Sequence, residues 1–207
     1  AGFKGLILRQ VLSTTDDSVR SQIETVINDL GLQSKFTLTA KLITNNQTGN
    51  TITVMGFHTS NSAYSAKMKS LDSFTHVFCE EFDEVPEDQF DKLDALIRKP
   101  DVELKIILAF NTPSVGHYIF DRWFKPDGTH KDDDDILYLK TTYLDVPEKY
   151  LNESFLQLVR KEKMKHPLRY ANIYLGEWAL EQENQIYTGW KSIEYFPNHV
   201  PYVYALD

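Results

Sequence analysis

The chain has 207 residues, 42% hydrophobic and 13% aromatic, enough for the core of one domain or of one domain with an appendage. No apolar run reaches the roughly 18 residues of a membrane span, and the single cysteine, Cys79, excludes an intrachain disulfide and favours a reducing compartment. The net charge of -8 argues against passive nucleic-acid binding by the whole surface, although it leaves room for a local basic patch.

The first predicted elements are a strand and a capped helix. Residues 6–9 are a short apolar run that predicts the strand, and residues 13–17 offer several N-cap side chains for the helix. Gly31 stands where a C-terminal cap is expected. This order predicts half of a βαβ unit. The apolar stripe of the helix comprises Val19, Ile23, Val26, Ile27 and Leu30.

An antiparallel pair of strands is predicted next. Residues 36–43 and 51–57 alternate and are rich in Thr, Val and Ile, and the segment between them has the composition of a turn. Two further apolar runs, residues 74–79 and 104–110, predict buried strands, each followed by a helix. Three continuously apolar strands that alternate with helices favour an α/β fold with a mostly parallel sheet covered on both faces.

The remaining third of the chain is predicted to be mainly helical. Residues 136–142 predict one more strand, residues 148–165 a long amphipathic helix, and residues 168–178 a second, shorter one. The acidic run at 131–135 is interpreted as a solvated connection. The cluster of cations on the long helix is either a solvated face or a local basic patch, and it comprises Arg160, Lys161, Lys163 and Lys165.

Two adjacent acids, Glu80 and Glu81, follow one buried strand directly. In an open α/β sheet, ligands bind beyond the carboxyl ends of the strands. One acid there can hold magnesium and the next can polarise an attacking water, which are two of the tasks of ATP hydrolysis. The alternative is that both acids simply open an acid-rich segment near a helix N-terminus, where negative charge is favourable.

Asn111 follows the next buried strand and is a candidate contact for the γ-phosphate or its water; the alternative is an ordinary turn residue before Pro113. A strand with two acids, a helix and a strand with a polar tip is the layout of the additional-strand class of P-loop ATPases. The phosphate-binding pattern GxxxxGK[ST] occurs nowhere in the sequence.

Several segments in the same order resemble phage terminase large subunits, the ATPases of viral DNA-packaging motors. Residues 67–71 (KMKSL) and 78–85 (FCEEFDEV) are similar to the family's lysine-rich stretch and its Walker B strand. Residues 109–111 (AFN) resemble the coupling motif SFNP, although Thr112 intervenes before Pro113. Residues 141–145 (TTYLD) and 175–178 (LGEW) resemble two later motifs, so the likeness covers nearly the whole chain.

The resemblance implies a role for each candidate site residue. Glu80 would be the Mg²⁺-side Walker B acid, Glu81 the catalytic glutamate and Asn111 the coupling residue. Arg9 would bind the nucleotide, unless it forms a structural ion pair. One of Lys67 and Lys69 would act on the ATP of a neighbouring subunit, unless these lysines contact DNA or solvent.

The resemblance also implies a domain division. Residues 1–143 would be a partial ATPase core without its Walker A loop, and residues 144–180 a helical linker subdomain. Residues 181–207 would be a linker and the first strand of a truncated RNase H-type nuclease, with Asp207 as its first metal-binding acid. We therefore expect a piece of a longer chain that by itself hydrolyses little or no ATP.

In the intact protein the resemblance implies ATP-driven packaging of double-stranded DNA into a procapsid in the host cytoplasm. The implied partners are the portal protein, the small terminase subunit and further copies of the chain in a ring, with no membrane. Two alternative interpretations of the sequence remain. One is another translocase or helicase of the same ATPase class, and the other is a non-enzymatic assembly domain with a degenerate P-loop fold.

Overall fold

A computed structural model describes residues 2–10, 15–39, 41–57, 71–97 and 102–179 of the chain. Its centre is a six-stranded sheet with the strand order β2-β3-β4-β1-β5-β6. Strands β4, β1, β5 and β6 run parallel, whereas β3 runs antiparallel to both of its neighbours. The strands are Lys4–Arg9 (β1), Phe36–Leu38 (β2), Leu42–Asn45 (β3), Thr51–Gly56 (β4), His76–Cys79 (β5) and Lys105–Leu108 (β6).

The prediction of a mostly parallel α/β sheet is confirmed. Strands β1, β5 and β6 arise from the three continuously apolar runs, as strands of a covered parallel sheet do. The antiparallel pair is also present, because β3 pairs with β4. The single strand predicted over residues 36–43 is wrong: it is divided into β2 and β3, which pair with each other across a tight reversal. There the hydroxyl and amide of Thr39 bond to the backbone of Leu42.

Five helices accompany the sheet in the described residues, and each matches a predicted helix with shifted ends. The long helix predicted from residue 148 begins at Glu153, because Asn152 caps it by accepting a hydrogen bond from the Ser154 amide at 2.8 Å. Residues 148–150 form a separate 3₁₀ turn. The helices are Thr15–Asp29 (α1), Glu87–Leu96 (α2), Tyr118–Trp123 (α3), Glu153–Lys165 (α4) and Pro167–Leu175 (α5).

Two further predictions need correction. No strand occurs over residues 136–142 of the described chain; Leu137 and Leu139 are 83% and 82% exposed and pair with no neighbouring strand. The apolar stripe of α1 is narrower than expected, since Val19 and Ile27 are buried while Val26 and Leu30 are more than half exposed.

The core lies between the sheet and helices α2 and α3. Its most deeply buried side chains include Val77 on β5, Leu93 on α2 and Ile119 on α3. Phe82, three residues after the end of β5, is fully buried and packs edge-on against Phe90 at 5.1 Å between ring centroids. None of the described helices combines the length and the apolar character that a membrane crossing demands. This packing fixes the segment that follows β5, where the candidate site lies.

Candidate functional site

The candidate site lies at the carboxyl edge of three adjacent parallel strands, β1, β5 and β6. Their register aligns Leu8 with Cys79 and Cys79 with Leu108. Two more hydrogen bonds extend this register past the strand ends: the Glu80 amide donates to the Leu8 oxygen, and the Ala109 amide donates to the Cys79 oxygen, both at 2.9 Å. Residues that follow each strand therefore emerge side by side.

Arg9, the last residue of β1, is paired with the acids that follow β5. Its Nε and Nη2 atoms face the two carboxylate oxygens of Glu81, so the pair is bidentate. The same Nε lies 4.0 Å from Oε2 of Glu80. The three side chains are only partly exposed, at 23% for Arg9, 33% for Glu80 and 36% for Glu81.

The backbone of Glu81 explains how two adjacent acids reach one cation. Neighbouring side chains in a strand point to opposite faces. Glu81 leaves the extended conformation for the left-handed region, with φ 51° and ψ 47°, and it is the only non-glycine residue with positive φ in the described chain. A residue with a Cβ pays about 1–2 kcal/mol for this conformation. Such strain is typically retained at functional sites.

Two hydrogen bonds connect the segments that follow β5 and β6. The Phe82 amide donates to the Ala109 oxygen at 2.9 Å, and the Asn111 amide donates to Oδ1 of Asp83 at 3.3 Å. Asn111 itself is exposed. Its position next to the acid pair thus follows from strand order and from these two bonds.

Two further hydrogen bonds connect the segment after β5 to the start of helix α3. His117 accepts a hydrogen bond from the Ile119 amide at Nδ1, so its Nε2 carries the proton and donates to the Asp83 oxygen at 3.1 Å. The Tyr118 hydroxyl donates to the Val85 oxygen at 2.9 Å. Burial raises the pKa of Tyr118, which keeps this hydroxyl a donor.

The structure therefore brings Arg9, Glu80, Glu81 and Asn111 to one edge of the sheet. Lys67, Lys69 and Asp207 lie outside the described residues. Sequence reasoning missed Asp83 as the residue that holds Asn111, although its position two residues after Glu81 was a signal. It also missed Asn172, whose side chain donates a hydrogen bond to the main-chain oxygen of Thr112 and which stands in no recognisable sequence pattern.

The oxygen donors at this edge suit Mg²⁺, which proteins commonly hold through one or two carboxylates together with substrate phosphates and water. Glu80 is the better candidate, because Glu81 is already engaged by Arg9 in both oxygens. In the described parts of the chain, no group of three or more His, Cys, Asp or Glu side chains is arranged to hold a metal ion.

The model of the phage terminase large subunit family matches residues 3–177. The PBSX phage terminase large subunit of Bacillus subtilis (strain 168) is 27% identical over 140 residues, which is 66% of this chain and 31% of that protein. The large terminase of a thermophilic bacteriophage superposes in crystal form 2 with a TM-score of 0.58 at 15% identity. The complex of the same phage protein with ATP-γ-S gives a TM-score of 0.55 at 16% identity.

These two superpositions each cover 86% of this chain, and 41% and 40% of the thermophilic phage protein. The chain thus spans less than half the length of the PBSX phage and thermophilic phage proteins. At such low sequence identity the likeness shows the fold, which is the P-loop NTPase-like fold of terminase ATPase domains.

Proposed function

Because the chain belongs to the phage terminase large subunit family, we propose that it is part of the ATPase that drives double-stranded DNA into a viral procapsid. The single observation that carries this proposal is the shared edge at which Arg9, Glu80, Glu81 and Asn111 meet. The nucleotide complex of the thermophilic phage terminase supports ATP as the ligand. The phosphate-binding loop, absent from this sequence, would come from elsewhere in the full-length subunit.

In this proposal Glu81 accepts a hydrogen bond from the attacking water and orients it toward the γ-phosphate. General bases held in this way typically accelerate a reaction by about 10²–10⁴. Arg9 pairs with Glu81 before the nucleotide binds. Once a nucleotide is present, the positive charge of Arg9 can bind the phosphate oxygens. Because Arg9 can pair either with Glu81 or with a phosphate oxygen, binding of a triphosphate would favour a Glu81 carboxylate that is free to contact water.

Glu80 and Asn111 have the complementary roles. Glu80 would hold Mg²⁺ through its partly exposed carboxylate, and bound Mg²⁺ would neutralise charge on the β- and γ-phosphate oxygens. Asn111 contacts the γ-phosphate or its water through an exposed amide that can both donate and accept. Its backbone is already fixed by Asp83 beside the acids.

The remaining roles follow the domain division implied by the sequence. We propose residues 1–143 as part of the ATPase core, residues 144–180 as the helical linker subdomain, and residues 181–207 as the connection to a nuclease domain with Asp207 as a metal ligand. Lys67 or Lys69 would act on a neighbouring subunit's ATP in a ring docked on the portal protein, with the small terminase subunit as a further partner.

Steady-state ATP hydrolysis by the full-length subunit, with and without double-stranded DNA, tests the proposal. We expect Glu81→Gln to lower kcat by about 10²–10⁴ while leaving ATP affinity nearly unchanged. Glu84→Gln is the matched control, since Glu84 is an exposed acid at the end of a 3₁₀ turn, residues 82–84, that follows Glu81 directly. Equal turnover by wild type and Glu81→Gln would show that Glu81 does not perform this step.

A further inference from the structure

The loop after β6 is bonded directly to the end of helix α5. Nδ2 of Asn172, on α5, donates to the main-chain oxygen of Thr112 at 2.8 Å and to that of Glu177 at 2.7 Å. In return, Oγ1 of Thr112 donates to the main-chain oxygen of Gly176 at 3.1 Å. Thr112 is the residue that departs from the family's SFNP pattern, and both of its oxygens face the helical segment.

The attachment continues along the chain. The Ala179 amide donates to the Pro113 oxygen at 3.3 Å, and the Val115 amide donates to the Ala179 oxygen at 3.0 Å. Ser114 and Ala179 form a parallel bridge. Residues 112–115 and 176–179 are consequently joined over their whole length, rather than at one point.

The helical side of this joint is held in a fixed shape. Gly176 ends α5 in the left-handed conformation with φ 62°, where a glycine carries no steric cost. Trp178 packs edge-on against Phe120 and Phe124, with ring centroids 4.8 and 4.7 Å apart. Glu177 pairs with Lys140 at 2.7 Å. Residues 176–178 are therefore attached to the α3 region and to Lys140 as well as to the end of α5.

The other side of the joint begins at the candidate site. The Asn111 amide is held by Asp83 at 3.3 Å, and the next residue is Thr112. Adjacent Cα atoms are a fixed ~3.8 Å apart across a trans peptide. Since only one peptide unit separates the two attachments, any shift of the Asn111 main chain on nucleotide binding would act on the Thr112 oxygen through a very short stretch of chain.

We infer that Asn172 is a positioning residue that links the conformation of the Asn111 loop to helices α4 and α5 through the main-chain oxygen of Thr112. This inference rests on the proposed nucleotide site at Asn111. A purely structural role, in which Asn172 only supports the end of α5, is the alternative. The two roles differ in what nucleotide binding does to residues 176–179.

Hydrogen exchange of the full-length subunit, measured with and without ATP-γ-S and Mg²⁺, distinguishes the positioning role of Asn172 from the purely structural one. In wild type we expect nucleotide to change the exchange of amides both in residues 80–84 and in residues 176–179. In Asn172→Ala the response at 80–84 stays and the response at 176–179 is reduced, because the bonds that Thr112, Pro113 and Val115 make to this segment remain. Thr112→Val, which removes only the bond to Gly176, should weaken the distant response without abolishing it.

Asn152→Ala is the matched control, because Asn152 caps α4 but has no bond to the loop. It should lower helix stability and keep the nucleotide response at 176–179. An unchanged response in Asn172→Ala would overturn the inference while leaving the nucleotide site intact. The absence of any response at 80–84 in wild type would instead overturn the proposed function, and the inference with it.

Discussion

The guanidinium of Arg9 pairs with both carboxylate oxygens of Glu81 across the neighbouring strands β1 and β5. This pair joins the first strand of the chain to the acid proposed to orient the attacking water. It also keeps that acid engaged while no phosphate is bound. Both side chains are partly exposed, so the pair contributes little to folding, in the range of about 0–1 kcal/mol.

Arg9→Ala should therefore affect nucleotide binding more than stability. A hydrogen-bonded contact between a charged side chain and a phosphate contributes about 1.5–3 kcal/mol, so KM for ATP should rise roughly tenfold to hundredfold. The free energy of unfolding should fall by less than about 1 kcal/mol. ATPase kinetics and urea denaturation of the full-length subunit measure both quantities.

Arg122→Ala is the control for this prediction. Arg122 is another partly exposed arginine, paired with Asp91 at 2.6 Å and stacked over Phe90, and it lies on α3 away from the acid pair. Arg122→Ala should leave KM for ATP unchanged. If Arg9→Ala and Arg122→Ala give the same KM as wild type, Arg9 is a structural ion-pair residue only.

Phe82→Ala should destabilise the fold strongly, because Phe82 is fully buried between β5 and helices α2 and α3. Truncation of a buried phenylalanine costs about 3–5 kcal/mol. Leu144→Ala, at a side chain that is 67% exposed, should change stability by no more than about 0.5 kcal/mol. Urea denaturation followed by circular dichroism compares the two variants, and similar midpoints would contradict the buried position of Phe82.

The parallel strands and the site edge were predictable, because β1, β5 and β6 are short, continuous apolar runs ended by polar residues. Residues 136–142 show why pattern alone fails. They begin with an apolar run typical of a strand, yet a strand exists only where a neighbour accepts its hydrogen bonds, and Leu137 and Leu139 face solvent. The bond between Asn172 and Thr112 joins residues 60 apart and leaves no periodic signal.

Cys79 should resist thiol reagents in the folded chain. The side chain is fully buried on β5, and this burial raises the pKa of the thiol to about 12. Only the thiolate reacts readily. At pH 8 the native 207-residue chain should remain unlabelled by a disulfide reagent, and the urea-unfolded chain should take up one equivalent at its single cysteine. Rapid stoichiometric labelling of the native chain would contradict this burial.

Ionisation of the Cys79 thiol should lower the free energy of unfolding as the pH rises. Its pKa is higher in the folded state than the value of about 8.5 in an unfolded chain. The unfolded state therefore binds fewer protons than the folded state above pH 8.5. The contribution to the free energy of unfolding is complete below about pH 8.5 and is lost as the pH rises toward 12. Urea titrations of wild type and Cys79→Ser between pH 7 and 10 should show this slope only in wild type.

The 207-residue chain alone should hydrolyse ATP at or near the background rate, because its sequence contains no phosphate-binding GxxxxGK[ST] loop. The full-length subunit should hydrolyse ATP under the same conditions. Phosphate release by the two proteins, each with its Glu81→Gln variant, measures the difference. Turnover by the short chain that disappears in its Glu81→Gln variant would show that these residues suffice for catalysis.

A crystal structure of the full-length subunit with ATP-γ-S and Mg²⁺ tests the shared edge most directly. We predict that the γ-thiophosphate lies between the side chains of Glu81 and Asn111, with Mg²⁺ on the Glu80 side and Arg9 turned from Glu81 toward the phosphates. A nucleotide bound at another surface, with the Arg9–Glu81 pair unchanged, would contradict the account.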